Sequence, residues 1–142
     1  MVATRLVAKA LLIDADGKLL VLTRSDSHPT LAGFYDLPGG MVEADEEPGA
    51  AVKREINEET GLDVSDATVL YATTHMARQV SYPTLLYLAR CNERQPTVTL
   101  SWEHSAYEWA PMSKLAEVEP QIAPAYRQAL DYIRVNDILN GF

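Results

Sequence analysis

Apolar positions follow two rhythms along the chain, and each rhythm predicts elements. Leu6 to Ile13 and Lys18 to Thr23 are apolar at nearly every position, as in strands covered on both faces. Asp14-Ala15-Asp16-Gly17 separates them and carries the Asp-Gly signal of a hairpin turn. Ser25 to Gly33 is loop by composition, and Phe34 and Tyr35 lead into a short strand ending at Pro38. Ala67 to Thr73 and Thr84 to Cys91 read as two more strands. Pro83 argues against a central strand over THMARQVSYP, which reads as loop or frayed edge. Thr97 to Glu103 alternates, with Val98, Leu100 and Trp102 on one face and Glu103 on the other, and predicts a strand. A short helical turn is expected from Ser113 to Glu117. From Pro120 to Asn140, Ile122, Tyr126, Ala129, Leu130 and Ile133 recur at helical spacing, giving an amphipathic helix that Gly141 stops.

The helical rhythm also occurs in mid-chain, in GMVEADEEPGAAVKREINEETGL, the 23 residues from Gly40 to Leu62. Pro48 suits a first helical turn, Val52 and Ile56 give a buried side, and Gly61 reads as the stop, so a helix is expected from near Glu47. Its other side carries Glu55, Glu58 and Glu59, stacked on one face by their i, i+3, i+4 spacing. Like charges at that spacing repel by a few tenths of a kcal/mol per pair. Two readings are open: a solvated acidic face, or ligands for a hard divalent cation such as Mg²⁺, which takes carboxylate and phosphate oxygens. Arg54 can hold the neighbouring carboxylates in place. Pro38-Gly39-Gly40 reads as a turn with backbone groups open to a ligand.

This stretch resembles the Nudix box, G-x5-E-x7-R-E-U-x-E-E-x-G-U with U aliphatic. Gly40, Glu46, Arg54, Glu55, Ile56, Glu58, Glu59, Gly61 and Leu62 fill all nine specified positions. The resemblance implies an α/β fold, an α/β/α sandwich with a mixed sheet, in one domain over residues 1–142. It implies a Mg²⁺-dependent hydrolase, with Mn²⁺ as a substitute, acting on a nucleoside diphosphate linked to a further group. By that analogy Glu58 and Glu59 are metal ligands, Glu55 is a further ligand or the base, and a carbonyl of Gly39 or Gly40 also coordinates. Arg54 orients the cluster, and Glu46 bonds Arg54 or a metal-bound water. An acidic residue downstream of the box completes such sites. Glu103 and Glu108 compete for that role, and the alternation of Thr97 to Glu103 favours Glu103.

Composition narrows the setting. A net charge of −8 argues against a long nucleic-acid polyanion as partner, whereas a metal-chelated nucleotide brings its own positive charge. No apolar run reaches the roughly 20 residues that span a bilayer, no signal-peptide order is present, and the one cysteine, Cys91, forms no internal disulfide. A cytoplasmic location is expected, and a homodimer is left open. Arg24 could reach a phosphate or cap a sheet edge. Phe34 or Tyr35 could stack on a nucleobase or pack in the core. Arg78 and Tyr82 are candidate substrate contacts, while His28 and His75 are expected to be solvated. A nucleoside triphosphate, giving the monophosphate and pyrophosphate, leads as substrate. ADP-ribose or another nucleotide sugar and dinucleoside polyphosphates follow. The alternatives of another class are a nucleotide-sensing module without catalysis, expected to have lost part of a carboxylate set that is intact here, and a purely structural acidic domain.

Overall fold

The computed structural model describes residues 2–114, 122 and 124–136. The strands are β1 (Ala3–Thr4), β2 (Val7–Ile13), β3 (Leu19–Arg24), β4 (Tyr35–Asp36), β5 (Gly39–Met41), β6 (Ala67–Ala77), β7 (Val80–Arg90) and β8 (His104–Ala110). Among the described residues two α-helices accompany them, α1 (Pro48–Thr60) and α2 (Pro124–Val135), with a 3₁₀ turn at Met112–Lys114. All eight strands join one mixed sheet. β2 lies at its centre, parallel to β7 along one edge and antiparallel to β5 and the end of β3 along the other. β6 pairs antiparallel with β7, and β8 and β4 take opposite edges of β3.

Every residue of β2 is buried, as an apolar run without alternation requires. Successive side chains point to opposite faces. Ala8, Ala10 and Leu12 join Leu20, Leu22, Val52, Ile56 and Trp109 in the core beneath α1. Leu11 and Ile13 join Leu19, Val21, Leu86, Tyr126, Leu130 and Ile133 in the core beneath α2. The result is the three-layer α/β/α arrangement. Each fully buried aliphatic side chain in these layers contributes about 1.5–3 kcal/mol. Asp14 builds the β2–β3 turn, its Oδ1 accepting the N–H groups of Asp16 and Lys18 at 2.8 Å and its Oδ2 that of Gln95 at 2.9 Å. Cys91 is half-buried beside the end of β2, its thiol turned to the Ile13 carbonyl, and burial pushes that thiol up to about 11.

Several expectations are corrected. Thr97 to Glu103 is not a strand: residues 97–101 join no ladder and Trp102 and Glu103 form a turn, the segment being tied to the end of α1 by the Thr99 N–H on the Thr60 carbonyl at 2.8 Å. Its alternation arises because Val98 and Leu100 lie on the α1-side core, and it fails at Trp102, 66% exposed. The segment after it, from His104, is the strand. THMARQVSYP is no loop, but the tip of a long β6–β7 hairpin that turns at Arg78 and Gln79, both at positive φ. Pro83 is accommodated because β1 pairs no further than Ser81 and β2 starts at Thr84, so its missing N–H deprives neither strand of a partner. Gly39 and Gly40 belong to β5, paired with β2, and do not form an open turn. The second helix is described from Pro124 to Val135, shorter than expected. The 3₁₀ turn stands where the helical turn was expected to begin. Residues 115–117, 120–121 and 137–140, with Gly141, lie outside the described residues.

Candidate active site

α1 begins at Pro48 after Glu47 and ends at Gly61, whose φ of 75° admits glycine and whose N–H caps Asn57. Ala51, Val52 and Ile56 bury one side of the helix, and the spacing then turns Glu55 and Glu59 toward the β2–β5 edge. Gly40 receives Glu55 there: a Cβ at Gly40 would stand 2.8 Å from the Glu55 carboxylate. Gly39 donates its N–H to Glu59 Oε2 at 3.1 Å, and a Cβ at Gly39 would meet the Ala8 carbonyl at 2.2 Å. Both glycines are therefore needed for the carboxylates to lie on the sheet edge.

Arg54 holds the flank of this cluster. Its Nε donates to Glu46 at 2.7 Å, and its Nη1 reaches Glu55 and Glu58 at 3.2 Å. The hydrogen bond to Glu46 raises the guanidinium further, and the same bond holds the Glu46 carboxyl below the usual carboxylate range. Burial pushes Glu55 up, with Arg54 opposing. Glu59 is 2% exposed, and burial pushes it up to about 8 against the pull of Lys9.

A second charged cluster, in which Lys9, Arg24 and His104 converge on the buried Asp36, lies beside the first. Lys9 Nζ reaches Asp36 Oδ1 at 3.2 Å, Arg24 Nε reaches Oδ2 at 3.4 Å, and His104 Nε2 reaches Oδ2 at 3.0 Å. Burial would raise the Asp36 carboxyl, but Lys9 and His104 hold it well below its ordinary value. Burial would likewise lower Lys9, and Asp36, Tyr126 and Glu59 together more than reverse this. The β3–β8 register slips at Arg24, which pairs with His104, so both side chains meet at Asp36.

Residues of both clusters line one cavity of about 1000 Å³. Glu55, Glu59 and Glu103 give it an acidic wall, with Lys9, Arg24 and Asp36 below. The β6–β7 hairpin gives the opposite wall, where His75 stacks on Tyr82 at 5.2 Å between ring centres and Arg78 stands at the turn. His28 lies between, its Nε2 3.8 Å from Glu103.

Of the residues singled out by sequence, Gly39, Gly40, Glu55, Glu59, Glu103, Arg24, Arg78 and Tyr82 line this cavity. Arg54, Glu46 and Glu58 lie outside the lining, joined to it through Arg54–Glu55. Glu108 is on β8, exposed, and is not among the lining residues. Phe34 and Tyr35 are also outside the lining: Tyr35 packs against the α2-side core, which takes the ring away from a ligand. Arg24 is buried rather than at a solvated sheet edge, because Asp36 and Thr30 supply its partners. His28 and His75 line the cavity instead of standing in solvent. The Lys9–Asp36–His104 cluster was missed. Its signal was one lysine inside an otherwise apolar strand, since a charge buried there must find a counter-charge.

Carboxylates and cations line one cavity together, a charge distribution that suits a phosphorylated ligand carrying a cation. The NUDIX domain family matches residues 3–133. A MutT-like protein of Streptomyces ambofaciens is 32% identical over 128 residues, covering 89% of this chain and 71% of that protein. An 8-oxo-dGTP diphosphatase of Proteus vulgaris is 34% identical over 70 residues, 49% of this chain and 61% of that protein. The crystal structure of a MutT protein from Methanosarcina mazei Go1 matches with a TM-score of 0.84 at 26% identity, covering 95% of this chain and 96% of that one. The chain belongs to the NUDIX family, and with it to the hydrolases that act on pyrophosphate bonds.

Hydrolases of this family generally use a divalent metal ion. The donor set fits one in chemistry: the glutamates Glu55, Glu59 and Glu103 line one cavity, and Gly40 leaves open the space in which Glu55 lies. Among the described residues, no three His, Cys, Asp or Glu side chains already converge as a metal site. Arg54 engages Glu55 and Glu58, and the Gly39 N–H engages Glu59 Oε2; an ionised carboxylate has about four acceptor sites, so these contacts leave capacity for a cation. No described helix is long and apolar enough to cross a membrane.

Proposed function

We propose that this chain hydrolyses nucleoside triphosphates to the monophosphate and pyrophosphate with Mg²⁺. The observation that carries the reading is one cavity with Glu55, Glu59 and Glu103 on one wall and Arg24, Arg78 and Tyr82 around it. A volume of about 1000 Å³ admits a nucleotide of that size. The 8-oxo-dGTP diphosphatase relative supports a triphosphate substrate. Mg²⁺, when bound, supplies neutralisation of phosphate oxygens and a water of lowered pKa. Glu59, Glu55 and Glu58 are the residues to hold it, with a carbonyl of Gly39 or Gly40. Either Glu55 or Glu103 accepts the proton of the attacking water, within the cavity that both line. Arg54 keeps Glu55 and Glu58 aligned, with Glu46 anchoring the guanidinium. Arg24 and Arg78 offer guanidinium groups to the phosphates, and Tyr82 offers a ring to the base.

The test is a Mg²⁺-dependent screen of nucleoside triphosphates, ADP-ribose and dinucleoside polyphosphates. Pyrophosphate release from triphosphates is the expected result. Preferred cleavage of either other class would replace the substrate, and no turnover of any class at saturating Mg²⁺ would remove the catalytic reading. Within an active enzyme, Glu103→Gln should lower turnover roughly 10²–10⁴-fold if it is the base, or raise the Mg²⁺ requirement if it is a ligand. Glu108→Gln should behave as the parent, and the reverse outcome would exchange the two.

A further inference from the structure

We propose that Lys9 is a positioning residue for the reaction, clamping the Asp36–Gly39 segment so that the Gly39 N–H fixes the Glu59 carboxylate. The ammonium grips that one segment twice, donating to Leu37 O at 3.0 Å and to Asp36 Oδ1 at 3.2 Å. Two residues on, Gly39 is the register partner of Lys9 in the β2–β5 ladder, and its N–H donates to Glu59. Gly39 lies flat on β2, since a Cβ there would stand 2.6 Å from Lys9 Cα and 2.9 Å from Lys9 Cδ. A shift of Leu37 is therefore carried through Pro38 to the amide that meets Glu59. The Tyr126 ring lies 5.5 Å from Nζ, a cation–π neighbour in the same cavity.

Stability alone does not account for a lysine here. Asp36 keeps Arg24 and His104 as partners without it. Replacing both partners of a buried ion pair by apolar residues of the same shape is in general neutral or stabilising, so the core itself does not require the pair. What an apolar residue such as methionine cannot do is hold the Leu37 carbonyl.

The kinetic part rests on the proposed hydrolysis, whereas the spectroscopic part does not. Lys9→Met is compared with the parent in two measurements: steady-state kinetics with a nucleoside triphosphate, and amide exchange and the resonance position of Gly39 in ¹⁵N-labelled, metal-free protein. The expected result is a loss of about tenfold or more in kcat with KM within about twofold, the split for a group acting in the transition state and not in substrate binding. The Gly39 amide should shift and exchange about tenfold faster or more, the sign of a locally loosened hydrogen bond. Asp36→Asn, which keeps an acceptor for the Leu37 N–H, should move both readouts in the same direction by less, and it serves if Lys9→Met does not fold. A parent-like Gly39 amide with parent-like kcat overturns the proposal. A raised KM with kcat preserved makes Lys9 a substrate contact and also overturns it. If neither variant folds, the pair is scaffold and the proposal is wrong. If the parent hydrolyses no nucleotide, the functional reading fails while the amide measurement still decides the role of Lys9.

Discussion

Glu59 is the residue at which burial and charge conflict. Its carboxyl is pushed from 4.5 up to about 8, first by burial and then by Asp36 and Glu55, with Lys9 and the Gly39 N–H opposing. The folded chain therefore holds this proton at pH values where the unfolded chain has released it. Metal-free stability should fall as pH rises from about 4.5 through 8, because ionising Glu59 in place is unfavourable. Glu59→Gln removes the ionisation while keeping an acceptor for Gly39. The variant should match the parent in thermal stability near pH 5 and exceed it by a few kcal/mol, to order of magnitude, near pH 8.5. Parallel melting curves across that range would contradict the assignment. The same variant should lose nearly all turnover. Asp36 works in the opposite sense: its depressed carboxyl stabilises the fold above its unfolded value of 3.8 and ceases to as pH falls below that toward its folded value.

At the scale of elements, the β2–β3 turn depends on one side chain. Asp14 gathers the N–H groups of Asp16, Lys18 and Gln95, which joins the hairpin to the segment after β7. Asp14→Ala leaves these donors without that acceptor and should cost about 1–3 kcal/mol, read as a lower denaturation midpoint at unchanged slope. This hairpin was legible in sequence because unbroken apolar runs and an Asp-Gly turn are local signals. The box helix was legible for the same reason, down to its Pro48 start and Gly61 stop. Alternation misled at Thr97 to Glu103, since an extended segment lying on a core without strand partners produces the same pattern as a strand. Glu103 does reach the cavity, but from the turn before β8 and not along a strand face. Pro83 misled in the other direction, because the gap between β1 and β2 that admits it is a property of the sheet. Lys9 and Asp36 are 27 residues apart, and no local rule joins them.

At the scale of the whole molecule, the chain carries a net charge of −8, and the cavity adds a wall of crowded carboxylates to that background. A divalent cation bound there relieves repulsion in the folded state only. Mg²⁺ alone should raise the melting temperature, by about 2.7 kcal/mol of stability at 100 times its dissociation constant, which corresponds to several degrees for a domain of this size. Calorimetry with and without Mg²⁺ checks this, and Glu59→Gln should lose most of the shift. An equal shift in that variant would place the ion elsewhere. The molecule also contains a single thiol in 142 residues, and Cys91 keeps its proton to about 11. Maleimide coupling near neutral pH selects thiolates, so this thiol is a slow competitor. A cysteine introduced for Met76, 59% exposed on the hairpin, would take a fluorophore ahead of Cys91, so that the cavity mouth can be labelled without first rebuilding the native sequence.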